Sequence, residues 1–307
     1  MTKETMASYA NISIYSAMAV LAVAMILYAV YLAGMVPVRV DARSGSPADD
    51  AATPQHARKM GGVAGTLTWL GGLLLLLAAV LRGASVNRAP LGNMHEFALV
   101  ASMFTILLFC VWSLKRDLRW LGVFVVTPVL LVLGMAITAW YTEAAELLPS
   151  LKSYWLVIHV VVATFSIALF ILGAVITVLY LLADRRQARG VPEGARPSLL
   201  DKMPNAQALE RMAYGTHIIA FPLWTFTLIA GAIWARQAWG SYWNWDPKET
   251  WTFVIWVVYA AYLHARATTT VSRRTANLVA VAGFVCIILN YVVVNQFLVG
   301  MHSYSGL

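Results

Sequence analysis

The sequence predicts an all-α fold: a polytopic integral membrane protein of about eight transmembrane helices with a tryptophan-rich loop outside the cytoplasm. Three observations carry this. Of 307 residues, 60% are apolar and 12% charged, with a mean hydropathy of +0.71, which leaves too little polar surface to cover a soluble globule. The apolar residues gather into eight runs, most of them close to the roughly 20 residues that cross a hydrocarbon core of about 30 Å. The basic residues crowd into alternate connections between those runs.

In chain order the runs are 12–34, 62–81, 94–114, 120–139, 154–183, 207–235, 251–270 and 276–297. Lys3 precedes the first as it would in a signal peptide, but the run is too long for such a segment and reads as a retained helix. The fifth is the longest, with length enough to tilt or protrude. Between the first two, 35–61 contains "DARSGSPADDAATPQ", whose Ser, Pro, Asp and Ala content reads as a flexible cytoplasmic linker, and 184–206 reads likewise. Nothing is left over for a soluble domain, so 1–307 reads as one membrane domain. The sequence holds no internal repeat, glycine-rich phosphate loop or HExxH motif, which argues against ATP-driven chemistry. Cys110 and Cys286 lie in apolar runs without a CxxC spacing and read as small packing residues.

All but six of the 22 Lys and Arg residues fall in 35–61, 115–119, 184–211 and 266–274; Lys3, Arg82, Arg88, Lys152, Arg236 and Lys248 lie opposite. The positive-inside rule then orients the chain in the plasma membrane with both termini and the loop 236–251 extracytoplasmic. This anchoring accounts for the net charge of +8, so the charge is not a nucleic-acid footprint.

The loop contains "WGSYWNWDPKETW", residues 239–251. Tryptophans present broad rigid faces that stack on a flat macrocycle. An interfacial belt explains Trp69, Trp112, Trp120, Trp140 and Trp155, but a belt does not need the shaped turn implied by Gly240, Asp246 and Pro247.

Ionisable groups in hydrocarbon are costly, so the depth of each histidine matters. His159, four residues after Trp155 on the same helical face, and His302, just beyond the last run, both lie at the outer side and flank the loop. Two imidazoles without a cysteine or carboxylate cluster suit an iron held from two sides better than tetrahedral zinc. His264, thirteen residues after Trp251, lies roughly 20 Å below the outer surface at 1.5 Å per residue. His95 sits at the outer end of the third run and His217 about ten residues into the sixth; His56 falls in the linker.

The pattern "WAxxAWGxYWxWDPKETW", with "YLH" after it and "GMHSY" at the end, resembles the tryptophan-rich (WWD) signature of the haem-handling proteins of cytochrome c maturation. It is similar to the CcsA/ResC branch of the System II cytochrome c synthase, called CcsB in some Gram-positive bacteria. The match is dense over 207–307 and reaches back to "SYWLVIH" and "PLGNMHEF". The resemblance implies a cytochrome c haem lyase (synthase) subunit that works chiefly by positioning haem b. His159 and His302 match outward histidines that ligate haem iron, and Trp239, Trp243, Trp245 and Asp246 match the loop that holds the haem. His264 matches the ligand of an inner haem, the second ligand coming from a ResB-like partner. Haem would move outward and be joined through thioethers to apocytochromes carrying CxxCH. Asp246 and Glu249 read as structural or as bonded to propionates through neighbours, and Lys248 as able to pair a propionate directly. His95 departs from the family pattern, where an aromatic is expected, and His217 is unassigned. A CcmC-type haem exporter or chaperone and a bis-histidine electron-transfer cytochrome are the alternatives.

Overall fold

The computed structural model describes residues 1–35, 55–146, 152–190 and 198–302. Among these the chain is helical, without strands. Its long helices are α1 Lys3–Gly34, α2 Gln55–Val86, α3 Met94–Ser113, α4 Gly122–Thr138, α5 Tyr154–Arg189, α6 Ala206–Trp239, α7 Pro247–Ala267 and α8 Arg273–Leu289. Single 3-10 turns precede α4 and α6, and α8 runs on through a π turn, Asn290–Val294, into a short α turn, Asn295–Phe297. Seven of the eight are long and apolar enough to cross a membrane when α4 and α8 are taken with these extensions. The eighth, α7, has 21 residues, but its apolar stretch is rich in Trp and Tyr and is flanked by Lys248, Glu249, His264 and Arg266.

The helices extend past the apolar runs because hydropathy marks the part in lipid, whereas caps mark the ends. Thr2 caps α1, accepting from Thr5 N–H at 3.2 Å, so the helix begins nine residues before the run that starts at 12. Gly240, at φ 79°, closes α6 four residues beyond the run that ends at 235. The expected linker 35–61 therefore yields its last turns, from Gln55, to α2, while 36–54 lies outside the described residues. Likewise 184–189 belongs to α5, 191–197 lies outside the described residues, and Ser198 and Asp201 form a capped turn held by Arg186 at 2.7 Å.

α1 and α2 pair along a heptad seam. Ala10, Ile14, Ala17, Leu21, Ala24 and Tyr28 face Ala64, Thr68, Gly71, Leu75 and Ala78, all buried. Spacing of three and four with small residues lets the two backbones approach closely, which is how helices associate in lipid. α3, buried on nearly every side, joins this pair and α4 to the second group, α5 to α8. Asn11 meets Tyr141 at 3.0 Å at one end of the bundle, and Arg119 lies over the Tyr31 ring at 5.3 Å at the other. At the first end a fully buried Glu96 binds Arg82 at 2.9 Å and Arg88 at 2.7 Å, and Arg82 reaches on to the Thr142 carbonyl. That charged knot fixes the 87–93 connection, which roofs the cavity described next.

Candidate functional site

α6 ends at Gly240 and α7 begins at Pro247, so the non-helical part of the tryptophan loop is only 240–246. The Asp-Pro-Lys-Glu sequence is, locally, a helix start. Asp246 is the N-cap, accepting from Lys248 N–H at 3.0 Å, Pro247 takes the first position, and Glu249 reaches back to the N–H groups of Asn244 at 2.7 Å and Asp246 at 3.3 Å. Trp245 adopts φ 55°, unusual for a residue with a side chain, just before the cap.

Asp246 does more than cap. Its Oδ1 accepts from Met301 N–H at 2.5 Å and its Oδ2 from His302 Nδ1 at 2.8 Å, so it ties the segment after α8 to the loop. Gly300 permits this approach: a Cβ there would collide with Asp246 Oδ1. Burial opposes ionisation of Asp246, but the hydrogen bond and charge of His302, with the N–H groups of Met301 and Lys248, outweigh it and hold the carboxyl below its ordinary range.

His159, one and a half turns into α5, meets the Thr227 carbonyl of α6 through Nδ1 at 2.9 Å and packs into the gap left by Gly231. Its ring lies nearly parallel to Trp234, 6.2 Å away at 14°. The other side of the story is His302, whose ring stands edge-on to Trp234 at 5.7 Å and to Trp239 at 4.7 Å. The two histidines, 143 positions apart in sequence, are thus brought to one buried tryptophan. Because a carbonyl and a carboxylate accept only, each Nδ1 carries its hydrogen, so the lone pair of either ring, when neutral, lies on Nε2.

Both histidines line one cavity, open to one side, between α3, α5, α6, α7, α8 and the loop, with about 1270 Å³ of space when the solvent at its mouth is included. Its wall is mainly apolar, with Phe97, Leu156, Val160 and Leu228 among the lining residues; Trp243, Tyr242, Lys248 and Glu249 close it toward the loop. A flat apolar ligand with polar substituents fits such a wall. Two imidazoles with anchored Nδ1–H groups fit an iron at its centre, since the hydrogen-bonded nitrogen sets the tautomer and the ring orientation of a metal-binding histidine.

The remaining expected residues divide. Trp243 lines the cavity, and Trp239 buttresses His302. Trp245 does not reach the cavity wall: it is 70% exposed and touches Trp243 edge-on at 5.7 Å. Asp246 acts on His302 and is not among the cavity-lining residues. His264 lies apart from this cavity, three residues from the end of α7, with its side chain exposed on the outside of the bundle. His95 is buried against the Ala136 carbonyl at 2.8 Å, and His217 is buried among Phe170, Tyr259 and Tyr262, with Thr177 Oγ1 at 3.2 Å. Sequence reasoning missed Trp234, Thr227 and Gly231. Trp234 opens the quoted tryptophan motif, so its signal was present; Thr227 acts through its backbone and Gly231 through its lack of a side chain, and neither leaves one.

The Cytochrome C assembly protein family matches residues 91–302, a span that includes both cavity histidines and the loop. The chain is 34% identical over 242 residues to the cytochrome c biogenesis protein CcsA of Guillardia theta, covering 71% of this chain and 77% of that protein. Against CcsA of Parasynechococcus marenigrum (strain WH8102) it is 33% identical over 273 residues, covering 80% and 87%. Among solved structures, cytochrome c haem lyase CcmF superposes with a TM-score of 0.65 at 16% identity, covering 95% of this chain and 47% of that one. The chain therefore spans about half the length of CcmF and shares its fold. With the family profile covering more than half of its length, and CcsA proteins as relatives along most of it, this membrane protein belongs to the cytochrome c assembly family, in the CcsA group that serves cytochrome c biogenesis.

Proposed function

We propose that the chain is the haem-presenting subunit of a cytochrome c synthase. It binds haem b in the outer cavity with His159 and His302 on the iron, and offers the haem edge to apocytochromes carrying CxxCH. The observation that carries this is the convergence of the two histidines on one apolar cavity, each with Nδ1 anchored to an acceptor. The chemistry that follows is addition of each cysteine S–H across a haem vinyl double bond, which needs neither oxidant nor leaving group. The cavity residues contribute by orientation, holding the vinyl groups where both thiols meet them. Trp243 supplies a stacking face, Trp239 and Asp246 hold His302, and Trp245 extends the aromatic surface outward to where an apocytochrome arrives.

Haem reaches this cavity from the cytoplasmic side through an inner site at His264. Its exposure on the side of α7 supports completion of that site by a second membrane protein, resembling ResB, with lipid covering the rest of the helix face. Both termini and the tryptophan loop lie outside the cytoplasm, in the plasma membrane, in keeping with the crowding of basic residues in the opposite connections. The test is reconstitution of the full chain with a ResB-like partner, haem and a CxxCH apocytochrome. Covalent haem on the apocytochrome is expected. Haem handed over without a covalent bond would instead support a CcmC-type chaperone, and reversible haem oxidation with no transfer an electron-transfer cytochrome.

A further inference from the structure

Lys248 is the one lysine or arginine among the described residues that line the outer cavity. It is only partly buried, and its ammonium donates to the Asn290 carbonyl at 3.1 Å and to Asn295 Oδ1 at 2.7 Å. Among the described residues no carboxylate forms an ion pair with it. The two acids nearest in sequence make their hydrogen bonds elsewhere, with Glu249 Oε1 buried and without a hydrogen-bond partner. Asp246 binds Met301, His302 and the Lys248 N–H, and Glu249 directs one oxygen at the loop backbone. An ammonium in an apolar wall with only neutral acceptors is poorly compensated and favours an anion brought by a ligand.

The acceptors themselves are unusual. Asn290 and Asn295 bracket the π turn that interrupts α8, and the Asn290 carbonyl is turned to a side chain on another helix. A π turn shifts the helical hydrogen-bond register and so releases a backbone carbonyl, and such turns occur frequently at functional sites. Here the Asn290 carbonyl, at the start of that turn, and Asn295 Oδ1 hold a charged side chain beside the cavity.

We infer that Lys248 is the anchor for a carboxylate of the bound macrocycle, kept beside the cavity by the π turn and transferred to that carboxylate when the ligand enters. This rests on the haem reading above and adds to it a determinant of orientation. One propionate tethered at the junction of α7 and α8 fixes which edge of the ring faces the loop, a choice that two axial imidazoles alone leave open, since a macrocycle can rotate about the axis they define.

The test compares haem with its dimethyl ester, in which both carboxylates are blocked and the macrocycle, iron and vinyl groups are kept. Full-length chain in detergent, with its partner, is titrated with each and followed by the iron's optical spectrum. The wild type should hold haem at least about tenfold more tightly than the ester, the size of effect expected for a charge-assisted hydrogen bond in an apolar site. Lys248→Met should lose that preference while still showing the bis-histidine spectrum with the ester, and Lys248→Arg should restore most of it. Equal affinity of the wild type for haem and ester overturns the inference while leaving the haem reading intact, and so does a Lys248→Met protein that discriminates as well as the wild type. Binding of neither porphyrin by the wild type removes the haem reading and the inference with it. The wild-type comparison needs no variant, so a Lys248→Met chain that fails to fold leaves the test decisive.

Discussion

Gly231 lacks a side chain where His159 needs the space: a Cβ there would lie 2.7 Å from the imidazole Cε1. Gly231→Ala improves helix propensity by about 1 kcal/mol but forces the ring to move, an overpacking cost of about 1–3 kcal/mol. Thermal stability should therefore change little while haem affinity falls about tenfold, read from a haem titration beside a melting curve. Asp246 makes a separate prediction. Its native pKa is depressed, so its contribution is complete above the ordinary aspartate value and is lost as pH falls through the lower native value. Haem coordination by His302 should keep this tie at every pH above the ordinary aspartate range, whereas Asp246→Ala should weaken it at every pH. A high-spin iron spectrum at pH 7 in that variant checks the claim; an unchanged low-spin spectrum contradicts it. At this scale the placing of His159 near the outer end of α5 was legible because depth can be counted along a helix. Gly231 and the Thr227 carbonyl were not, because their roles exist only where two helices touch.

The tryptophan loop and α7 form one element, in which the cap that starts the helix also shapes the cavity wall. Trp243 and Trp245 sit two residues apart and read alike in sequence, yet Trp243 lines the cavity and Trp245 is 70% exposed. Trp243→Ala should loosen haem by about 2–4 kcal/mol, the cost of removing a buried aromatic contact. Trp245→Ala should leave haem binding within about 0.5 kcal/mol of wild type, as for other exposed positions, and lower only the rate of transfer to apocytochrome. Parallel haem titrations and single-turnover attachment assays separate the two. Backbone geometry distinguishes the two, since Trp245 takes a positive φ and Trp243 does not, and no periodicity foretells that.

At the scale of the whole molecule, composition alone made the membrane architecture legible, because the apolar runs have to be about as long as the bilayer is thick. Helix ends were less legible, since caps such as Thr2 and Gly240 carry α1 and α6 beyond the lipid-matched run. The helix least marked by hydropathy is α7, the one that joins the tryptophan loop to His264. The orientation predicts that a cysteine placed at Ser241 is labelled in intact cells by an impermeant maleimide, and one placed at Thr268 only after permeabilisation; the reverse pattern would invert the molecule. The central claim, that two distant histidines hold haem for attachment, is tested most directly by covalent haem transfer to a CxxCH apocytochrome in the reconstituted complex. His159→Ala and His302→Ala should each reduce transfer by at least about a hundredfold with the protein still inserted, and added imidazole should restore part of it by taking the vacated axial position. Transfer at the wild-type rate in both variants would contradict the account.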